Sequence, residues 1–208
     1  KAFCAYDEDP VTLAIGAARQ ALKRLPASVE IGALFFGVTT PPFEEKPSAA
    51  TLPTALFENS AIRVTEITGS PQAGIHALVS TVEYCMAGEG RYGLAIAADA
   101  PSGPPDSNVE HALGAAAAAF VVGPDGGVAN FENSFSVTHE TFGSRFRRHG
   151  EDTLSDLELR TRDNLESVKA LSIKMSLSQL GEVKYLALGT DAGLIRGAGK
   201  ALKLPQAK

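Results

Sequence analysis

The feature that most constrains the fold is a series of apolar segments of strand length that alternate with helical patterns. Residues 31–40 (IGALFFGVTT) are almost continuously apolar, which is typical of a strand covered on both faces. Three further strands are expected at residues 61–68 (AIRVTEIT), 92–100 (YGLAIAADA) and 115–123 (AAAAAFVVG). Strands that alternate with helices predict a domain of the α/β class with a mixed, mainly parallel sheet.

Helical segments fill the gaps between these strands. Asp9 and Pro10 open the first helix, because an acceptor side chain suits the N-cap and proline suits the position after it. Pro26 ends the apolar periodicity of that helix. A short helix is expected near residues 52–57. Residues 71–87 follow a turn of small residues and are apolar on all sides, so they predict a buried helix.

The C-terminal part of the chain repeats the opening order of elements. A helix is expected over residues 163–177 and a strand over residues 182–189, with another helix after them. Residues 10–58 show the same order. The repetition predicts a duplicated architecture, with an N-terminal half at residues 1–150 and the start of a truncated second half at residues 151–208.

Composition and charge argue against several classes of partner. The net charge of −5 leaves no basic excess to displace the counterions of nucleic acid. The alanine-rich run at residues 114–122 is too short to span a bilayer, so no membrane partner is expected. Cys4 and Cys85 form neither a CxxC motif nor a zinc pattern, and we expect no metal and no cofactor. Reduced thiols without a signal peptide favour the cytoplasm.

Six segments of the chain follow one another in a characteristic order. They are YDEDPVTLAIGAARQAL (residues 6–22), GALFFGVTTPPFEEKPSAATLPTAL (32–56), ITGSPQAGIHAL (67–78), RYGLAIAADAP (91–101), GAAAAAFVVGP (114–124) and SFSVTHETFGSRFRRHGED (134–152). In this order the sequence resembles the thiolase superfamily, and within it the 3-hydroxy-3-methylglutaryl-CoA (HMG-CoA) synthase branch. The third segment resembles the turn that carries the nucleophile in that branch.

The resemblance implies a layered α/β/α/β/α fold whose first repeat is nearly complete here and whose second repeat is truncated. It also implies CoA thioesters as ligands, and a homodimer or a heteromer with a thiolase-superfamily partner formed through the strand at residues 61–68. Family members condense acyl-CoAs by first acylating a cysteine at the head of the buried helix. The helix dipole and a neighbouring base lower the pKa of such a thiol.

The sequence departs from the family pattern at the positions that perform this chemistry. Aligned through Ala73-Gly74, the nucleophilic cysteine falls on Pro71. Counted back from Lys46, the general acid/base glutamate falls on Pro41. The substrate-activating histidine is expected in residues 183–193, which contain no histidine. All three positions are expected in one pocket, so the resemblance implies that ordinary condensation cannot occur.

Other side chains are candidate replacements for these groups. Ser70 precedes Pro71, so we expect it to cap the helix, with a nucleophilic role as the weaker alternative. His139 and Glu140 fall in the substrate-side segment and are the remaining candidates for acid–base work, although a surface or core role is favoured. Arg145, Arg147 and Arg148 are candidates for binding the phosphates of CoA, with a solvated loop as the alternative.

The leading interpretation is a catalytically degenerate subunit that serves an acyl-CoA-processing complex as a structural or CoA-ester-binding partner. The first alternative is an active condensing enzyme, an acyltransferase or synthase, that uses non-standard or partner-supplied residues. The second alternative is a module that only binds ligand. An incomplete second half would leave an unpaired sheet edge and an uncovered helix face, so we expect another polypeptide or chain segment to complete it.

Overall fold

The structure, a computed structural model, describes residues 2–26, 28–58, 61–88, 91–136 and 146–155. The chain divides into two compact units, Lys1–Phe131 and Glu132–Lys208. The helices and strands named below all lie in the first unit. The predicted elements at residues 163–177 and 182–189 lie outside the described residues, and the predicted domain boundary at residue 150 stays a prediction.

The first helix, α1 (Pro10–Leu22), begins where the sequence predicts. The Asp9 carboxylate accepts a hydrogen bond from the Thr12 backbone N–H at 2.7 Å, and the Thr12 hydroxyl oxygen accepts one from the Asp9 N–H at 2.7 Å. This reciprocal pair is a capping box, and it fixes the first turn of the helix. The helix ends at Leu22, four residues before Pro26, and a turn connects the two residues.

Four strands form one sheet in the order β2-β1-β3-β4. Their bounds are β1 (Ile31–Gly37), β2 (Arg63–Ile67), β3 (Tyr92–Asp99) and β4 (Ala116–Val122). β1 runs parallel to both of its neighbours, and β4 is antiparallel to β3. Only 16 residues separate β3 from β4, and they hold just one short helix, α4 (Asn108–Ala112), which the sequence did not predict. The mixed, mainly parallel sheet confirms the predicted α/β class.

β1 is covered on both faces of the sheet, because its alternate residues point in opposite directions and both sets are buried. Leu34 and Phe36 are fully buried in the larger core, which they share with α1. Ala33 and Phe35 point the other way and pack against α3 (Ala73–Ala87). Six of the seven residues of β1 are buried, which confirms the prediction of a strand covered on both faces.

The path between β1 and β2 contributes Ala49 and Leu52 to the larger core. It includes a short 3-10 helix (Ser48–Ala50) and α2 (Thr51–Leu56), which lies within one residue of the predicted short helix. The Glu66 carboxylate of β2 accepts a hydrogen bond from the Ala49 N–H at 2.7 Å, which ties this connection to the sheet.

The prediction that the helix at residues 71–87 is buried all round is wrong. Ala73, Ala77, Thr81 and Val82 of α3 are buried against the sheet, whereas Ile75 is 62% exposed and Met86 is 78% exposed. The helix is apolar on both faces, and the described residues cover only one of them. No helix in the described part of the chain is both long and apolar enough to cross a membrane.

Candidate functional site

The candidate site lies at the carboxyl edge of the three parallel strands. Gly37 of β1 pairs with Ile67 of β2 and with Ala97 of β3, so the three strands end at nearly the same level. The residues that follow these strands, including Pro41 and Pro71, therefore lie at one edge of the sheet. Ligands of parallel α/β sheets bind at this kind of edge.

The first turn of α3 packs tightly against this edge. A side-chain carbon on Gly37 would overlap the carbonyl group of Ala73. A Cβ on Gly74 would lie 2.7 Å from the Cβ of Ala97, which is too close for two carbons. The two glycines therefore allow the helix backbone to approach β1 and β3, and they fix the helix start beside the strand ends.

Pro71 lies in a tight turn immediately before α3. The Ala73 N–H donates to the Ser70 carbonyl at 2.9 Å, and Gln72 has φ −93° and ψ 7°. These angles are those of the third residue in a type I turn, in which proline suits the second position. Pro71 is exposed at this turn, and it has no donor or nucleophilic atom to offer there.

The prediction that Ser70 is the N-cap, with Pro71 as the first helical residue, is wrong by two positions. The N-cap is Gln72, which makes no side-chain capping bond, because the turn delays the helix until Ala73. The Ser70 hydroxyl instead accepts a hydrogen bond from the Gln72 N–H at 3.1 Å within the turn. The structure describes both Ser70 and His76, and no hydrogen bond joins the two residues.

Pro41 follows a pair of threonines that are held by a carboxylate from another strand. Asp99, the last residue of β3, accepts hydrogen bonds through its Oδ1 from the N–H and hydroxyl groups of Thr39 and Thr40. All three residues are half-buried, and so is Pro41. Asp99 was not predicted from the sequence. One feature of the sequence could have identified it: an acidic residue ends an apolar strand, and the carboxyl end of that strand lies at the same edge of the sheet as the threonine pair.

A cleft of about 350 Å³ opens next to the end of β3. It is lined by residues 2–4, by residues 100–103 that follow Asp99, and by residues 110 and 113–115 around α4. This volume is at the lower end of the range for small-molecule sites. Among the described residues, no group of three or more His, Cys, Asp or Glu side chains could hold a metal ion.

The thiols of both cysteines have raised pKa values. Burial raises the pKa of the Cys85 thiol, which donates a hydrogen bond to the Val122 carbonyl at 3.4 Å. Burial, together with the nearby carboxylates of Glu8 and Asp9, raises the pKa of the Cys4 thiol. A raised thiol pKa lowers the thiolate fraction near neutral pH and hence the reactivity.

The candidate phosphate-binding arginines belong to the second unit. Phe146 and Ser155 pair in an antiparallel bridge, and the loop between them carries Arg147 and Arg148 on its exposed surface. Arg147 donates to the Glu151 carbonyl at 3.2 Å, and the Arg148 guanidinium lies 3.5 Å from the Glu151 carboxylate. Arg145, His139 and Glu140 lie outside the described residues, so their predicted roles stay predictions.

Sequence comparison relates this chain to HMG-CoA synthases. The hydroxymethylglutaryl-CoA synthase of Pyrococcus furiosus is 35% identical over 152 residues, which cover 72% of this chain and 43% of that enzyme. The synthase of Pyrobaculum aerophilum is 32% identical over 158 residues, which cover 73% of this chain and 45% of that enzyme. The chain thus spans less than half the length of these relatives. No protein-family model matches it.

Comparison of structures gives the same fold. PksG, an HMG-CoA synthase from Bacillus subtilis, superposes with a TM-score of 0.79 at 20% identity, covering 97% of this chain and 52% of that one. The β-ketoacyl-[acyl carrier protein] synthase III of Thermus thermophilus gives 0.81 at 19% identity, covering 98% of this chain and 69% of that one. The match confirms the predicted thiolase-like fold, of which this chain is a part.

Proposed function

Since the chain belongs to the HMG-CoA synthase-like branch of the thiolase superfamily, we propose that it is a non-catalytic subunit of an acyl-CoA-processing complex. In this role it holds a CoA ester, or it supports an active partner, without forming a covalent bond to the acyl group. The proposal includes a cytoplasmic location and no bound metal or cofactor.

The observation that supports this proposal most directly is the turn that contains Pro71. Pro71 lies in this turn two residues before α3 begins and has no nucleophilic atom, and the family resemblance assigns the acylated cysteine to its position. Pro41 likewise has no group that moves a proton. The pKa values of the Cys4 and Cys85 thiols are both raised, so each has a lowered thiolate fraction for attack on a thioester.

The test is incubation of the purified chain with acetyl-CoA, followed by intact-mass analysis and by titration calorimetry. The expected result is no covalent adduct, with binding detected as heat in the absence of turnover. An acetyl group found on Ser70 or on either cysteine contradicts the proposal. Arg147→Ala and Arg148→Ala variants then test whether these arginines contact the CoA phosphates, since each should weaken binding of acetyl-CoA.

An uncovered apolar surface supports a partner for this subunit. Ile75 and Met86 are exposed on the outer face of α3. Phe120 of β4 is 55% exposed. It pairs with Ala95 of β3, and Ala95 pairs with Phe35 of β1, whose side chain packs on the α3 side. Phe120 therefore lies on the same side of the sheet as α3. Exposed apolar side chains on one side of a sheet mark an interface where they form a contiguous patch. In the described sheet β2 is an edge strand, which leaves residues 61–68 available for the proposed dimer or heteromer contact.

A second candidate function follows from the length of the match. The chain spans 43% of the P. furiosus enzyme, so residues contributed by a partner or by another segment would complete a site in the full assembly. In that case the assembly is an active acyltransferase or synthase that acts on CoA thioesters. Turnover by the assembly without an acyl adduct on this chain would favour this second function.

A further inference from the structure

The threonine pair at the end of β1 directs four donors to a single point. The Thr39 N–H and hydroxyl lie 2.6 and 2.9 Å from the Asp99 Oδ1. The Thr40 N–H and hydroxyl lie 2.9 and 3.0 Å from the same oxygen. The Thr40 hydroxyl oxygen also accepts a hydrogen bond from the Ala100 N–H at 2.9 Å, which fixes its orientation. We call Thr39 and Thr40 with these donors the threonine cradle.

Such a group of donors has the chemistry of an anion site. Consecutive backbone N–H groups that converge on one point form a concavity with a positive potential. Hydrogen bonds from such donors to an ionised carboxylate are stronger than bonds between neutral groups. The anion here comes from a residue about 60 positions away in the chain, on the neighbouring strand, and not from a local turn.

We propose that the threonine cradle is a carboxylate-binding site whose built-in ligand is Asp99. In this role Asp99 is a positioning residue, because it holds the segment that leads from β1 to Pro41 at the carboxyl edge of the sheet. When the Asp99 side chain is shortened, the cradle takes a small carboxylate from solution instead. This inference does not depend on whether the chain binds or converts CoA esters.

The test compares Asp99→Ala and Asp99→Asn in the full chain. Alanine removes the carboxylate and leaves room for formate, whereas asparagine fills the space with a neutral amide. The melting temperature of each variant is measured in sodium formate and in sodium chloride of equal ionic strength. Formate, and not chloride, should raise the melting temperature of Asp99→Ala, and it should have no selective effect on Asp99→Asn or on the parent chain. If Asp99→Ala is unfolded in chloride, formate should restore its fold.

A second measurement detects the cradle without relying on the alanine variant. In the parent chain, the Thr39 and Thr40 amide protons should exchange slowly with solvent, because each donates to the Asp99 carboxylate. The same protons should exchange faster in Asp99→Asn, because a neutral acceptor holds them less strongly. Equal exchange in both proteins, or equal effects of formate on both variants, would overturn the proposal.

Discussion

Gly74 of α3 lies against Ala97 of β3 so closely that a Cβ on the glycine would come within 2.7 Å of the alanine Cβ. The contact joins the start of the helix to the end of the strand, and both border the candidate site. It therefore sets the position of the turn that contains Pro71.

Gly74→Ala should destabilise the protein by about 1–3 kcal/mol, because an added methyl group in a tight contact forces the backbone apart. Gly16→Ala is the matched control, because Gly16 lies in α1 with no atom within 4 Å of the added carbon. The control should stabilise by roughly 0.5–1 kcal/mol, since alanine favours helix. Urea unfolding measures both free energies. Equal effects of the two substitutions would argue against the close approach.

Asp9→Ala should lower the free energy of unfolding by about 1 kcal/mol through loss of the capping box. Asp7→Ala is the control, because Asp7 is exposed two residues earlier and makes no hydrogen bond described in the structure. It removes the same charge without removing the cap. Thermal unfolding of both variants compares them directly, and an equal loss of stability would mean that charge, and not capping, is responsible.

Pro71→Cys should introduce a reactive thiol at the candidate site. The new side chain lies just before α3, and the positive end of a helix lowers the pKa of a nearby thiol. Labelling with iodoacetamide at neutral pH should be faster at the introduced thiol than at Cys4 or Cys85, as measured by peptide mass spectrometry. Acetyl transfer from acetyl-CoA to the introduced thiol would further support a CoA-ester site.

Gln72→Cys is the control for that experiment, since Gln72 lies in the same exposed turn. A general effect of the turn would make both new thiols equally reactive toward acetyl-CoA. The proposed site predicts acetylation at position 71 and little at position 72. The reverse order would show that the alignment of Pro71 with the nucleophile position is wrong.

Cys85 should make the fold less stable at alkaline pH. Burial raises the pKa of its thiol above the ordinary value, so the thiol ionises in the unfolded chain at a lower pH than in the folded protein. Its contribution to stability is complete below the unfolded pKa and is lost as the pH rises through the folded pKa. Urea unfolding across this pH range should show a smaller alkaline loss for Cys85→Ala than for the parent. Parallel curves would mean that the pKa of Cys85 is not raised.

The apolar surface on α3 should mediate association. Sedimentation of the purified chain should reveal dimers or larger species, and Ile75→Lys should weaken their formation because it places a charge on the exposed apolar face. Gln20→Lys adds the same charge on the exposed side of α1 and should leave association unchanged. A parent chain that stays monomeric at all accessible concentrations counts against the proposed subunit role.

Local sequence rules predicted the elements whose cause is local. The Asp9 cap and the burial of β1 on both faces follow from a few neighbouring residues, and both are confirmed. The start of α3 was misplaced because a type I turn and a first helical turn favour the same serine and proline. The exposure of Ile75 could not be predicted from the sequence. An apolar helix indicates that both of its faces are buried, but it does not indicate whether the same chain or a partner covers each face.

The candidate site was predictable only in part. Parallel strands bring Pro41 and Pro71 to one edge, and this follows from the order of strands and helices in the sequence. The contact of Asp99 with Thr39 and Thr40 does not, because no local pattern links residues about 60 positions apart. It became visible only when the register placed the end of β3 beside the end of β1.

The carboxyl edge of the sheet is completed only after Asp99 has been synthesised, because the threonine cradle needs its contact with that residue. During synthesis α1, β1, β2 and α3 leave the ribosome before Asp99 does, because the chain emerges from its N-terminus. The threonine segment therefore stays unanchored until β3 docks, and contacts so distant in sequence form slowly. A nascent chain halted before residue 99 would contain α1, β1, β2 and α3 but not the carboxylate that anchors the threonine segment.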